Sequence, residues 1–180
     1  MKNKGKVVYF MRHGESEDSE NKRFQSPITA LSEKGRENVL AASGRFKSID
    51  FEIIISSSFE RAKQTAEIIS ETTNKTIETS SLFTECLKPS KVDGKEYSDT
   101  EADNLWRNWQ DSFYESDARV EDGENFNDIK DRVDAALKFL EQNNSDKIMV
   151  VSHGFFIKAI LSRVILGDMF ELGNDAPKEH

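Results

Sequence analysis

Two apolar runs constrain this chain more than any other feature, because both stop at the same pair of residues. Residues 6–11, carrying Val-Val-Tyr-Phe-Met, lead into Arg12-His13-Gly14, and residues 147–152, carrying Ile-Met-Val-Val, lead into His153-Gly154. A short continuous apolar run suits a strand covered on both faces. Between them, Ser32 opens a helical stretch in which Val39, Leu40 and Phe46 recur at helical spacing, and Phe51 to Ile55 gives a further strand. Ser57 followed three residues later by Glu60 fits a capping box for a helix reaching about Thr73, and a weak strand falls near Ile77. Ala102, Leu105, Trp106, Trp109 and Phe113 form one helical stripe, and Phe126, Ile129, Val133, Leu137 and Leu140 form another, both predicted to face the core. Ile157, Ile160, Leu161, Val164 and Ile165 mark a closing helix that stops near Gly167. Strands separated by helices predict a layered α/β domain, a three-layer α/β/α sandwich around a mostly parallel central sheet.

The expected organisation is a single domain over residues 1–172, with 87–122 as a cover insertion over one edge and a polar tail at 173–180. Residues 15–27 are too polar to bury and are expected to cross the surface as a loop. Composition narrows the function classes. With 25 basic against 33 acidic residues the chain carries a formal charge of -8, and no run of Lys or Arg is dense enough to release counterions from a phosphate polymer. Nucleic-acid binding is therefore not expected. Nor is a membrane: no segment reads as a secretory signal or as the roughly 20 apolar residues of a span. The single Cys86 has no partner for an internal disulfide, which leaves the cytosol as the default compartment.

Open α/β sheets place ligands at the carboxyl ends of their strands. His13 and His153 each end a strand there, so two imidazoles can meet in one crevice, and Gly14 and Gly154 would let backbone amides approach a ligand. Arg12 adjoins the first histidine. Arg61 lies in the first turn of the helix after the second strand, where free N–H groups and positive potential already favour an anion. A guanidinium fork matches phosphate oxygens in two-point contact, so the expected ligand is a phosphate. Trp106 and Trp109 could stack on a substrate, but their helical spacing favours core packing.

These residues resemble a known family. Arg12-His13-Gly14-Glu15-Ser16 is similar to the Arg-His-Gly motif of the histidine phosphatase superfamily, the phosphoglycerate-mutase-like proteins. Residues 57–66, Ser-Ser-Phe-Glu-Arg-Ala-Lys-Gln-Thr-Ala, resemble its second arginine segment, and Ser152-His153-Gly154 its second histidine segment. Leu31-Ser32 with Gly35, and Gly123-Glu124-Asn125 with Arg132, resemble lesser landmarks. The resemblance implies the phosphoglycerate-mutase-like fold and a metal-independent phosphoryl transfer that needs no cofactor. His13 would be the nucleophile, and Arg12, Arg61, His153 and Gly154 would bind the transferring phosphate. It also implies a glutamate donor after the third strand, placed at Glu85 in Phe83-Thr84-Glu85-Cys86-Leu87, although the continuation Lys88-Pro89-Ser90-Lys91 departs from the family pattern. Ser19 stands where many relatives have an Asn.

The cover from Leu87 to Asp122 holds ten acids against Lys88, Lys91, Lys95, Arg107 and Arg119. It resists a multiply charged substrate unless its lysines turn inward. The expected activity is hydrolysis of a small phosphorylated metabolite. The alternatives are mutase-type transfer between hydroxyls of a phosphoglycerate, action on phosphohistidine of a partner protein, and a binding module without turnover. The residues carry no signal for an oligomeric state.

Overall fold

The computed structural model describes residues 5–115 and 117–167. The tail expected at 173–180 lies outside the described residues. The chain runs through β1 (Val7–Arg12), α1 (Glu17–Glu20), α2 (Glu33–Phe46), β2 (Ile53–Ser57), α3 (Glu60–Thr73), β3 (Ile77–Ser80), α4 (Thr100–Asp111), α5 (Phe126–Gln142), β4 (Lys147–Ser152) and α6 (Gly154–Leu166). Three single turns of 3-10 helix, Ser81–Phe83, Ser90–Val92 and Ser112–Tyr114, fill the connections around α4.

The four strands form one all-parallel sheet in the order β1-β4-β2-β3. Alternate residues along each strand point to opposite faces, and each face has its own apolar cluster. Ile55, Ile148 and Val150, with Val8 and Phe10 beside them, pack against Ile129, Val133 and Leu140 of α5 and Phe156 and Ile160 of α6. Ile54, Met149 and Val151, with Tyr9 and Met11, pack against Val39 of α2 and Ala62, Ala66 and Ile69 of α3. The result is the expected three-layer α/β/α sandwich. No helix among the described residues is long and apolar enough to cross a membrane.

Several local expectations need correction. β1 carries apolar packing on both faces, but it lies at the sheet's edge and its residues are only partly buried. The capping box at Ser57 and Glu60 does not form. The N-cap of α3 is Phe59, without a side-chain cap, because Ser57 still belongs to β2 and Glu60 turns to Lys63 and Gln64. The loop at 15–27 contains a short helix, α1, capped by Ser16, whose hydroxyl accepts from the Ser19 amide at 3.3 Å. Leu40, Leu161, Val164 and Ile165 follow the helical spacing yet are exposed, as periodicity locates a helix but not the width of the face its neighbours cover. Residues of the segment 87–122, among them Lys88, Tyr97, Trp106 and Trp109, line a cavity together with Arg12 and Arg61 from the carboxyl ends of the strands.

Glycines hold this arrangement close. A Cβ on Gly35 would stand 2.0 Å from the Glu15 carbonyl oxygen, which also accepts from the Ser32 amide at 2.9 Å. A Cβ on Gly14 would meet Val39 at 2.7 Å, and the Gly14 amide donates to Thr65 at 3.1 Å. That glycine therefore serves the packing of α2 against the first strand–loop junction. The expectation that its amide is free for a ligand is not met.

Candidate active site

Parallel register brings the two histidines together. Arg12 is opposite Ser152 in the β1–β4 ladder, and the next amide, of His13, donates to the Ser152 carbonyl at 3.0 Å. The residues after both strands therefore emerge side by side, and the rings of His13 and His153 lie 4.9 Å apart between centroids. β2 lies on the other side of β4, so its last residue, Ser57, reaches the same end of the sheet.

Arg61 joins them. Its guanidinium is almost wholly buried at 2% exposure: Nε donates to His13 Nε2 at 3.1 Å, Nη2 to His153 Nδ1 at 3.2 Å and Nη1 to the Ser26 carbonyl at 2.8 Å. These contacts fix the tautomers. His13 Nδ1 is 2.6 Å from the Gly14 carbonyl oxygen and must donate to it, which leaves the Nε2 lone pair as the acceptor for Arg61. On His153, Nδ1 accepts from Arg61, so Nε2 carries the proton and donates to Ser57 Oγ at 2.7 Å. The ring of Phe59 packs edge-on against His153 and under the Arg61 guanidinium at 5.3 Å.

Burial and the adjacent guanidinium both disfavour a second positive charge. Desolvation, then Arg61, pulls the His13 pKa down to about 3, and the same causes depress that of His153. Burial also lowers Arg61 to about 10, which keeps it cationic at neutral pH. The core of the site is thus two neutral imidazoles and one guanidinium, with His13 Nε2 unprotonated. Arg12 is exposed beside Gly154, where its guanidinium carbon would lie 3.8 Å from an added Cβ. It has no ion-pair partner among the described residues.

Glu85 follows β3 and the turn Ser81–Phe83. It is not a solvated loop carboxylate: Oε1 accepts from the amides of Cys86 and Phe156 at 3.0 Å each, and Oε2 from the Phe155 amide at 3.2 Å, so the group caps α6. Its backbone is clamped in turn. Arg132 donates to the Thr84 carbonyl at 2.8 Å and forms a two-point ion pair with Glu124 at 2.8 and 2.7 Å, with both side chains largely buried. Glu124 receives the Leu87 amide at 2.8 Å, and its carbonyl receives the Trp109 indole N–H at 2.8 Å. The landmark at 123–132 therefore positions the segment that carries Glu85.

Arg12, Arg61 and Glu85 line one side of a cavity of about 540 Å³; the cover supplies the other side through Lys88, Trp106 and Trp109. Both tryptophans thus do what the spacing left open: Trp109 is 5% exposed in the core cluster and also reaches the cavity. Ser19 lines the cavity too. Sequence reasoning missed Ser57 and Phe59 as partners of His153, the Ser26 carbonyl, and Phe24 in the wall. Ser57 had a signal, its place at the end of the second apolar run; Phe24 and Ser26 had none.

The family profile of the histidine phosphatase superfamily (branch 1) matches residues 8–174. The chain is 33% identical over 167 residues to the probable phosphoglycerate mutase GpmB of Salmonella arizonae, covering 88% of this chain and 74% of that protein. Among solved structures, an alpha-ribazole phosphatase from Shigella flexneri superposes with TM-score 0.73 at 20% identity, over 88% of this chain and 79% of that one. A mycobacterial glucosyl-3-phosphoglycerate phosphatase does so with TM-score 0.70 at 23% identity, over 89% and 79%. At these identities the two structures show a shared fold.

Proposed function

The chain belongs to the histidine phosphatase superfamily, and on that premise we propose that it hydrolyses a small phosphomonoester through a phosphohistidine on Nε2 of His13. The observation that carries this reading is the tautomer of His13: Nδ1–H is held by Gly14, so Nε2 carries the lone pair and accepts from Arg61, which itself lines the cavity. An imidazole with its pKa near 3 is unprotonated throughout the neutral range and needs no base to free its lone pair. Nε2 forms the N–P bond as the P–O bond to the leaving alcohol breaks, and Glu85 gives its proton to that oxygen. Glu85, now a carboxylate, takes a proton from water, whose oxygen attacks phosphorus as the N–P bond breaks. Inorganic phosphate leaves, and His13 and the protonated Glu85 are restored.

The guanidinium of Arg61 and that of Arg12 would hold the equatorial oxygens, where their charge favours the transition state most. Arg61 donates to both imidazoles, so an arriving phosphate would exchange two hydrogen bonds to neutral rings for hydrogen bonds to an anion. The alcohol binds in the cavity under the cover.

A second reading is mutase chemistry, favoured by the name of the 33% identical relative. The cover argues for hydrolysis instead. Lys88, its inward lysine, is bound to Asp93 and to the Gln25 carbonyl at 2.5 Å, which occupies two of its three N–H donors and sets its charge against a carboxylate rather than against the second anion of a phosphoglycerate. One experiment separates the two. The purified chain incubated with p-nitrophenyl phosphate without added metal should release nitrophenol and inorganic phosphate in equal amounts. With a phosphoglycerate it should release phosphate without forming the isomer. Isomer formed with no phosphate release would establish the mutase, and no turnover of either ester would defeat hydrolysis.

A further inference from the structure

Beyond the phosphate end, the cavity wall is aromatic. Phe24 contacts Tyr97 edge-on at 4.8 Å and Trp106 at 5.7 Å, and on the far side Phe155 sits 5.8 Å from Phe113, which in turn packs on Trp109 at 4.8 Å. Tyr97 and Phe155 are 48% and 43% exposed, although each stands beside an apolar cluster that could have buried it. Large apolar side chains left open beside a polar site mark a surface that meets a ligand.

The charges of this wall are spent on one another. Lys88 is tied to Asp93, and Asp103 is paired with Arg107 at 2.8 Å. Among the described cavity residues only Arg12 and Arg61 remain as cations for a ligand, and both belong to the phosphate end. A leaving group with a carboxylate or second phosphate would therefore enter a chamber of rings and neutralised carboxylates at a desolvation cost that nothing there offsets. A flat ring would gain burial and edge-to-face contact with side chains already ordered by their neighbours.

We propose that the substrate class is a phosphomonoester of an uncharged alcohol bearing a flat aromatic ring, with the ring held against Tyr97, Trp106 and Phe155. This rests on the hydrolytic reading above and names the alcohol that it left open. The test uses esters whose leaving alcohols are similarly weak acids, so that leaving-group chemistry does not set the order: 2-naphthylmethyl phosphate, cyclohexylmethyl phosphate, propyl phosphate and 3-phosphoglycerate. The expected kcat/KM for the naphthylmethyl ester is at least about tenfold above that of propyl phosphate and severalfold above that of the cyclohexylmethyl ester. 3-Phosphoglycerate should be the poorest.

Replacing wall residues one at a time, Tyr97→Ser and Trp106→Leu, should each shrink the naphthylmethyl-to-propyl ratio by about threefold or more. Tyr97 is half exposed, so that variant probes the wall even if the tryptophan variant fails to fold. Binding of 2-naphthylmethylphosphonate against propylphosphonate, measured by calorimetry on the unaltered chain, needs no turnover. A tenfold preference there with no hydrolysis of any ester would keep the aromatic pocket and reject the phosphatase. Equal affinities, or 3-phosphoglycerate as the best ester, would overturn the pocket whatever the fate of the hydrolysis.

Discussion

The floor of the site and its cover are built by different means. On the floor, His13, Ser57 and His153 are placed by three adjacent parallel strands whose ladders fix their ends to one another. Arg61, at the start of α3, is almost completely buried among them. The cover from Leu87 to Asp122 has one helix of twelve residues and single turns. It is held by side chains reaching backbone far away in sequence: Arg132 to Thr84, Glu124 to Leu87, Trp109 to Glu124 and Asp122 to the Ser90 amide at 2.9 Å. A strand end cannot shift without breaking a ladder, whereas a cover hung on a few side chains can be altered piecemeal. The chemistry should therefore belong to the floor and the choice of alcohol to the cover.

Four measurements test that division. The largest effect is expected on the floor: His13→Ala should reduce kcat for p-nitrophenyl phosphate by about 10⁴-fold or more, the scale on which a covalent nucleophile is missed. A loss under tenfold would remove His13 from the reaction.

Next comes the clamp of the cover. Arg132→Met leaves Glu124 buried without its partner and should cost about 3–5 kcal/mol, roughly 10 °C in Tm by calorimetry. Vanadate affinity of the folded fraction should change little, because the floor does not depend on that pair. A vanadate affinity that falls in step with stability would show floor and cover to be one unit.

At the boundary between them, Glu85→Gln should slow an alkyl phosphate by up to about 10²-fold but p-nitrophenyl phosphate by less than tenfold, since the acidic phenol leaves without a proton. Equal losses across leaving groups, read from a plot of log kcat against alcohol pKa, would reject the acid role.

The smallest effect concerns pH. The folded pKa of His13 lies near 3 and the unfolded value near 6.5, so below pH 6.5 the unfolded chain binds a proton that the folded chain refuses. Its contribution is complete above that pH and declines on acidification toward 3, by at most about 1.4 kcal/mol per pH unit. Denaturant titrations at pH 7 and pH 5 should show a loss to which His13 contributes about 2 kcal/mol and the likewise depressed His153 adds, and His13→Gln should diminish it by about 2 kcal/mol. Unchanged stability between those two pH values would mean that the ring is not buried neutral.

How legible each region was follows from the same contrast. β4 begins and ends where its apolar run does, and α3 stops at Thr73, where Asn74 takes the left-handed conformation that ends it. Ser32 caps α2 as its sequence suggests. In the cover, Trp106 and Trp109 lie on a stripe that reads as core, and the stripe is right as far as it goes. A helical period cannot say that the core they face has a cavity running through it. Glu85 was placed by likeness to a motif, yet its three amide partners come from its neighbour Cys86 and from the start of α6, seventy residues on.

The alternation of strand and helix, and hence the arrival of both histidines at the same end of a parallel sheet, is written in local pattern, because apolar period and chain direction are local properties. Tertiary structure alone decided which strands are neighbours, and with that the 4.9 Å between the rings, the tautomers set by Gly14, Arg61 and Ser57, and the aromatic wall opposite them. Apart from the bond between His13 and its neighbour Gly14, those depend on hydrogen bonds and burial between residues about 40 to 140 positions apart, and no local pattern records which distant partner will remove a side chain from water.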